Sequence, residues 1–196
     1  IVADGDSADG TAERAEAAGA RVLTAPRGRA RQMNAGAAAS HGRLLLFLHA
    51  DCRLPTRYER DVFTAMLPPH AVGGAFQLRT RPGRLATAAI DALSDLRTRC
   101  LRLPYGDQAI FARRSDFEAL GGFPDSPLAE DLLFVQRLCG RGRLVLLPES
   151  VDASGRRWRT VGAARGLLCN QLISAGLQLG VPPRLLSRLY RTHRSP

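Results

Sequence analysis

Short apolar runs alternate with helix-forming stretches in the first quarter of the chain, and this alternation constrains the fold more than any other feature. Residues 1–3, 21–23 and 44–48 are apolar runs of strand length, and residues 11–18 and 30–40 are rich in Ala and other helix formers. The run at 44–48 has no polar alternation, which predicts a central parallel strand covered on both faces. The pattern predicts an α/β fold, with a mostly parallel, doubly wound sheet flanked by helices.

Composition and charge narrow the class of protein further. The 196 residues are 45% hydrophobic and 23% charged, which is typical of a single folded domain with its own core. The formal net charge is +10, and all 28 basic residues are arginine. Because the arginines are spread along the chain without a basic run, they predict attraction for anionic ligands and no dedicated nucleic-acid tail.

The cysteines indicate the redox setting. Cys52, Cys100, Cys139 and Cys169 are far apart and form no C-x-x-C pair. This spacing excludes a zinc ribbon and a dithiol redox motif, and it predicts a reducing, cytoplasmic environment.

Two acidic residues follow the ends of predicted parallel strands. Asp4 comes directly after residues 1–3, and Asp51 follows residues 44–48 and the dipeptide His49-Ala50. Ligands of open α/β sheets bind beyond the carboxyl ends of the strands, so both carboxylates are expected at the same rim. The alternative is that Asp4 only closes a turn, since Asp, Gly and Ser are also turn residues.

The segments around these acids resemble a known family. V-A-D-G-D-S-A-D-G-T at residues 2–11 is similar to the V-D-D-G-S-x-D-G-T segment of inverting glycosyltransferases of family 2, whose fold is the nucleotide-binding GT-A type. G-R-A-R-Q-M-N-A-G at residues 28–36 is similar to the family's G-x-x-x-A-R-N-x-G helix start. The resemblance implies that Asp4 contacts the donor nucleotide. It also implies that Arg31 and Asn34, which match the second motif, border the nucleotide pocket.

A metal site is implied at the second strand end. His49-Ala50-Asp51 takes the place of the family's D-x-D motif, whose last acid ligates a divalent cation that bridges the donor phosphates. The resemblance therefore implies that Asp51 is the metal ligand and that His49 contacts the donor sugar or ribose. Carboxylate and phosphate oxygens suit Mn²⁺ or Mg²⁺, and imidazole is better tolerated by Mn²⁺. The expected ligands are thus a nucleotide-sugar donor and a divalent cation, Mn²⁺ or Mg²⁺.

The second half of the chain is expected to supply the catalytic base. After predicted strands at 72–76 and near Phe111, the segment G-G-F-P at 121–124 and the pair Glu130-Asp131 resemble the family's G-G-F and E-D elements. The resemblance implies that Asp131 deprotonates the acceptor hydroxyl. The neighbouring Glu130 is expected to tune it, because like charges raise the proton affinity of one partner. The alternative is an acidic first helical turn favoured by the helix dipole.

Four further residues are predicted substrate contacts. S-G-R-R-W at residues 154–158 resembles the end of the Q-x-x-R-W motif of polysaccharide-synthesising relatives, which implies that Arg157 and Trp158 close the site over the diphosphate and the sugar ring. Asp107 and Gln108 are expected either to contact sugar hydroxyls or to satisfy backbone donors in a turn.

The resemblance covers nearly the whole chain and implies one GT-A domain. Residues 1–55 are expected to bind the nucleotide, residues 56–160 to hold the acceptor and the base, and residues 161–196 to form a C-terminal helical segment. The motif combination is similar to a small bacterial subgroup of arsenosugar-biosynthesis or radical-SAM-associated glycosyltransferases. Family members begin with a strand and a helix that have no counterpart here, so a further segment of about 30 residues is expected upstream of Ile1.

Other classes and contacts stay open at the level of sequence. The alternatives are a sugar nucleotidylyltransferase and a basic nucleic-acid-binding module; nucleic acid is not the expected partner. Residues 161–191 predict two helices separated by Pro182-Pro183, whose leucines are expected to pack on the sheet. The alternative is a surface for a lipid-linked acceptor or a second subunit, at the inner face of a membrane. The residues of that surface are Leu167, Leu168, Leu172, Ile173 and Leu177.

Overall fold

The computed structural model describes residues 1–83, 85–156 and 162–192. The strands are β1 (Val2–Asp4), β2 (Val22–Thr24), β3 (Leu44–Leu46), β4 (Cys52–Arg53), β5 (Ala71–Arg81), β6 (Phe111–Arg113) and β7 (Arg143–Ser154). The helices are α1 (Thr11–Ala17), α2 (Arg29–Ala39), α3 (Tyr58–Ala65), α4 (Leu85–Leu101), α5 (Arg114–Ala119), α6 (Glu130–Cys139), α7 (Ala163–Gln178) and α8 (Pro183–Thr192). A 3₁₀ turn lies at Gly106–Gln108. This order of strands and helices confirms the predicted α/β class.

The strands form two sheets with mixed pairing. β1 and β2 are parallel, with Val2 opposite Val22. The second sheet has the order β3-β6-β5-β7-β4, in which β5 and β7 are parallel and the other pairs are antiparallel. The sheet is therefore mixed where a mostly parallel one was predicted, and β3 pairs with an antiparallel neighbour. The apolar run in β3 reports burial on both faces, which does not fix strand direction.

A groove separates β1 from β3. Within the described residues, β1 pairs only with β2, and β3 pairs only with β6. Val2 and Ala3 line one side of the groove, and Leu45 and Phe47 line the other. The strand predicted upstream of Ile1 stays a prediction.

An aromatic cluster fixes the start of α6. The rings of Phe47, Phe117, Phe123 and Phe134 have centroids 4.6–5.7 Å apart in tilted and edge-on pairs, which is the favourable geometry for aromatic side chains. These residues come from the end of β3, from α5, from the loop before α6 and from α6 itself. The cluster thus ties the carboxyl end of β3 to the helix that begins at Glu130.

The C-terminal helices both pack on the core and expose leucines. Ile173 and Leu177 of α7 are buried in the main hydrophobic core, as expected for packing on the sheet. Leu168 and Leu172, by contrast, are 62% and 59% exposed. Across the ranges that the structure describes, we find no helix with the length and apolar character needed to span a bilayer.

Candidate active site

A cavity of about 1270 Å³ brings four of the predicted site residues together: His49, Asp51, Asp107 and Asp131. Small-molecule sites commonly occupy about 300–1,000 Å³, so the cavity has room for a donor and an acceptor. Further polar side chains on its wall, from α2, the 3₁₀ turn, the end of β7 and α7, are those of Arg29, Gln32, Tyr105, Ser154, Arg156 and Asn170.

Asp131 is held in place by two backbone amides. It lies in the first turn of α6, where unpaired N–H groups favour an acidic residue. Its Oδ2 accepts a hydrogen bond from the N–H of Gly106 at 2.6 Å, and its Oδ1 accepts one from the N–H of Leu132 at 2.8 Å. Each carboxylate oxygen has two lone pairs, so these bonds fix the orientation of the side chain and leave acceptor capacity on the cavity side.

Gly106 separates Asp131 from His49. A Cβ atom at this position would lie 2.5 Å from Nε2 of His49 and 3.0 Å from Oδ2 of Asp131. Only glycine therefore lets both side chains approach this stretch of backbone. Nε2 of His49 is buried against Gly106 and has no hydrogen-bond partner among the described residues.

Glu130 faces away from the cavity and toward α2. It is 3% exposed, and its Oε1 lies 2.7 Å from Nε of Arg29. Burial raises the pKa of Glu130; the positive charge of Arg29 opposes this rise and the neighbouring Asp131 adds to it. Glu130 is absent from the described wall of the cavity, and its contact with Arg29 joins α6 to α2. Its predicted catalytic part, the tuning of Asp131, stays a prediction.

Two carboxylates converge near the turn that follows β3. Burial and then the negative charges of Asp51 and Asp107 raise the pKa of the Cys52 thiol to about 12. The thiol of Cys52 donates weakly to Oδ1 of Asp51 at 3.8 Å. Asp51 and Asp107 therefore lie close to the same thiol, and their carboxylate oxygen atoms are candidate metal donors here.

These donors fit a divalent cation that is shared with a phosphate. Carboxylate oxygens suit Mg²⁺ and Mn²⁺. Over residues 1–83, 85–156 and 162–192, no three His, Cys, Asp or Glu side chains come together as an all-protein metal site. Mg²⁺ is commonly bound by one or two carboxylates, with phosphates and water supplying the other ligands, which is what this donor set allows.

The two residues of α2 that were predicted to border the nucleotide pocket do not lie on the described wall of the cavity. Arg31 forms an exposed ion pair with Asp125 at 2.7 Å, and Asn34 bonds to the backbone of Phe123. The α2 positions on the cavity wall are instead Arg29, Gln32, Met33, Gly36, Ala37 and Ser40. These positions recur every three or four residues and so share one helix face, from which Arg31 and Asn34 are rotated away.

Asp4 closes a turn, which is the alternative left open by the sequence. Its Oδ2 accepts a hydrogen bond from the N–H of Ser7 at 2.9 Å, and hydrogen bonds from Ser7 lower the pKa of Asp4. Asp4 is not among the described residues that line the cavity, although Ala3 beside it is.

Gln108 is a core residue and does not reach the cavity. It is 0% exposed, and its Oε1 accepts hydrogen bonds from the N–H of Tyr105, from Arg97 and from Thr98. Its Nε2 donates to the carbonyl of Phe76 at 3.0 Å. The amide is fully committed to neighbouring groups, so of the two roles predicted for Gln108 the structure supports the one in the turn.

Two predicted contacts lie outside the described residues, and two residues near the cavity were not predicted. Arg157 and Trp158 lie outside the described residues, while the preceding Arg156 lines the cavity. Arg29 and Gly106 were missed. The helical phase of α2 was the available signal for Arg29, whereas Gly106 depends on contacts between distant segments that no local pattern reveals.

Solved structures with a similar fold are glycosyltransferases and sugar-phosphate synthases. A mannosyltransferase from Pyrobaculum calidifontis, solved with GDP-Man and Mn²⁺, shares 19% identity at a TM-score of 0.66 over 90% of this chain and 53% of its own. S. aureus TarS residues 1–349, solved with UDP-GlcNAc, shares 18% sequence identity with this chain at a TM-score of 0.63. The match covers 79% of this chain and 48% of the TarS chain. Glucosyl-3-phosphoglycerate synthase from Mycobacterium tuberculosis, solved with Mn²⁺ and UDP-Glc, shares 20% sequence identity with this chain at a TM-score of 0.58. The match covers 93% of this chain and 68% of the synthase chain.

These likenesses establish the GT-A fold. The chain spans about half of the length of the first two structures. No curated protein sequence matches it. The sequence profile of glycosyl transferase family 2 matches residues 1–112, which is more than half of the chain. The chain therefore belongs to glycosyl transferase family 2.

Proposed function

We propose that the chain transfers a sugar from a nucleoside-diphosphate sugar to an acceptor hydroxyl, with inversion at the anomeric carbon and with Asp131 as the general base. The observation on which the proposal depends is that Asp131 and Asp51 line one cavity. An inverting displacement needs a base on the attacking side and charge stabilisation on the leaving side. The cavity offers a carboxylate for each task.

Asp131 receives the proton in this proposal. The acceptor oxygen forms a bond to the anomeric carbon while the bond from that carbon to the diphosphate oxygen breaks on the opposite face. The hydroxyl proton passes to Asp131, and the nucleoside diphosphate leaves with the bonding electron pair. The amides of Gly106 and Leu132, at 2.6 and 2.8 Å, keep the carboxylate aimed at the cavity, which lowers the entropic cost of alignment.

The leaving side would be held by Asp51, Asp107 and nearby arginines. Asp51 and Asp107 are the residues that would hold a divalent cation, which when bound would neutralise charge on the departing diphosphate. Solved neighbours contain Mn²⁺ together with GDP-Man or UDP-Glc, and we propose Mn²⁺ or Mg²⁺ here. Arg29 and Arg156 line the cavity and add fixed positive charge that suits phosphate oxygens.

The nucleotide is proposed to lie against residues 1–55. Arg29 and Gln32 replace Arg31 and Asn34 as the α2 residues nearest the donor, because they are on the cavity wall. Asp4 is kept as a proposed contact to the nucleotide, and Arg157 and Trp158 as residues that close the site. His49 is proposed to contact the donor sugar or ribose, supported by its place on the cavity wall.

Two finer features of the function are proposals with less support. The subgroup of arsenosugar-biosynthesis or radical-SAM-associated enzymes is supported only by the motifs quoted above, and no residue contact identifies the acceptor. A cytoplasmic location is supported by the cysteines, all four of which are free.

The proposal is tested with two carboxylate variants and a donor panel. Thermal unfolding is measured with GDP-mannose, UDP-GlcNAc and UDP-glucose, with and without Mn²⁺, and nucleoside diphosphate release is measured with alcohol acceptors. Asp131→Asn should keep the donor-dependent rise in Tm and lose turnover by about 10²–10⁴-fold. Asp51→Asn should lose the part of the Tm rise that depends on Mn²⁺.

Asp61→Asn is the matched control. Asp61 lies in α3, outside the described lining of the cavity, so this variant should behave as the parent does. The anomeric configuration of the product, read by NMR, tests inversion. Parental turnover in Asp131→Asn, or no nucleotide-sugar effect on the Tm of the parent, would contradict the proposal.

A further inference from the structure

An exposed leucine face lies on α7, on the side turned away from the cavity. Leu168, Leu172 and Leu179 are 62%, 59% and 83% exposed. Their spacing of four and seven residues puts them on one side of the helix, with the exposed Ala175 between them. Single exposed leucines are ordinary, but an aligned set is not. We call these three residues the α7 leucine face.

Helix α4 packs against α7 and has an apolar exposed side of its own. Leu93 and Leu96 are 41% and 55% exposed. The two acidic residues of α4 form hydrogen bonds with the backbone of β5. Asp91 accepts a hydrogen bond from the N–H of Thr80 at 2.8 Å, and Asp95 accepts one from the N–H of Leu78 at 3.0 Å. Two neighbouring helices therefore expose leucines while their acidic groups are used elsewhere.

The sequence of the C-terminal segment carries charge of one sign. After Asp152 the sequence contains no acidic residue, whereas residues 154–196 contain eight arginines. Arg165 of α7 and Arg184 of α8 are exposed, and next to Arg184 the side chain of Leu185 is 52% exposed. Exposed leucines flanked by arginine, without acids, are the chemistry of a surface that binds anionic lipid.

We infer that the α7 leucine face, with the exposed leucines of α4 and with Arg165 and Arg184, docks on the surface of an anionic lipid bilayer. A second copy of the chain is the less favourable occupant, because it would oppose two arginine-rich surfaces on proteins of net charge +10. An anionic bilayer neutralises the arginines and also accepts the leucines in its interfacial region. The inference does not depend on the proposed reaction.

Vesicle flotation of the full chain tests this docking. The vesicles are phosphatidylcholine alone or phosphatidylcholine with about 30% phosphatidylglycerol. We expect the protein to float with the anionic vesicles and to stay below with the neutral ones, and we expect NaCl raised from about 0.1 to about 0.5 M to weaken the association. Leu168→Gln/Leu172→Gln should weaken binding about tenfold or more.

Two further variants keep the result interpretable. Phe63→Gln/Leu67→Gln removes apolar side chains that are 58% and 61% exposed at α3, with the same spacing, and should leave flotation unchanged. Arg184→Glu should weaken binding to anionic vesicles about fivefold or more without changing the leucines.

Several results would overturn the inference. They are failure to float with either vesicle, equal flotation with both, and an equal loss in the α3 control. A dimer in light scattering that Leu168→Gln/Leu172→Gln converts to a monomer would also overturn it, because a second copy would then occupy the face.

Discussion

The side-chain amide of Asn34 forms two hydrogen bonds with the backbone of Phe123. Its Nδ2 donates to the carbonyl at 2.8 Å, and its Oδ1 accepts from the N–H at 2.9 Å. Gly122 makes room for this clamp: its φ is 72°, and a Cβ there would lie 2.6 Å from Oδ1 of Asn34. Two motifs that are far apart in sequence thus form one joint between α2 and the loop before α6.

Removing the clamp should destabilise the fold more than it weakens donor binding. Asn34→Ala loses two hydrogen bonds and leaves backbone groups of Phe123 unpaired, so we expect the free energy of unfolding to fall by about 2–4 kcal/mol. Asn34→Asp keeps the acceptor and loses the donor, so its free energy of unfolding should fall by a smaller amount. Urea denaturation measures both. If Asn34→Ala instead kept the parental stability and bound the nucleotide more weakly, the result would favour the substrate contact that the motif implied.

Gly106→Ala should impair catalysis through His49 and Asp131. The new Cβ would overlap Nε2 of His49, so one of the two side chains has to move. Displacement of a reacting group by about 1 Å can cost about 10²-fold in rate, and we expect a loss of that order in kcat. Gly83→Ala is the control, since its Cβ would meet the nearest atom at 3.8 Å. Equal kcat in the two variants would show that the close approach at Gly106 is not needed.

The burial of Glu130 predicts a pH-dependent stability. Because the pKa of Glu130 is raised in the folded protein, chiefly by burial, the folded state holds this proton more tightly than the unfolded state. Its stabilising contribution is therefore present below the unfolded pKa of about 4.5 and is lost as pH rises through the folded value. The free energy of unfolding of Glu130→Gln, relative to the parent, should accordingly increase as the pH rises above about 4.5.

Urea denaturation at a series of pH values measures the effect of Glu130→Gln. Arg29→Ala is the companion variant. Because Arg29 opposes the rise in the pKa of Glu130, the Arg29→Ala protein should lose more stability than the parent as the pH rises. A Glu130→Gln protein that becomes steadily less stable than the parent as pH rises would show that the attraction of Arg29 outweighs burial.

Local patterns were enough to predict the early elements of the fold. The positions of β1, α1, β2 and α2 lie within one residue of the predicted ranges, because apolar periodicity and helix propensity are local signals. The apolar run at residues 144–147 is typical of a strand, but β7 extends over Arg143–Ser154. Its later residues are largely polar, and they form a strand because they pair with β5 and β4, which no local pattern reports.

The candidate site was predicted in part for the same reason. Asp51 and Asp131 were identified by motifs and do line one cavity. Arg29 lines the cavity and Arg31 does not. The two residues are two positions apart on α2 and so face different sides of the helix, a distinction that a motif match alone does not make. Gln108 forms hydrogen bonds with Arg97 and Phe76, which lie in other elements of the fold. The local sequence around Gln108 therefore could not distinguish a ligand contact from a buried support.

Gln108 holds the turn beside Asp131, the proposed base. Gln108 accepts from the N–H of Tyr105, and the next residue, Gly106, donates to Asp131. Gln108→Leu keeps the volume but leaves Arg97 and the carbonyl of Phe76 without their amide partner, so the free energy of unfolding should fall by about 3 kcal/mol. Because the turn also orients Asp131, kcat should fall while KM for the donor stays near its parental value. Denaturation and steady-state kinetics on the same preparation separate the roles: a raised KM with parental stability would indicate direct substrate contact, and lost stability with parental kcat would confine Gln108 to the core.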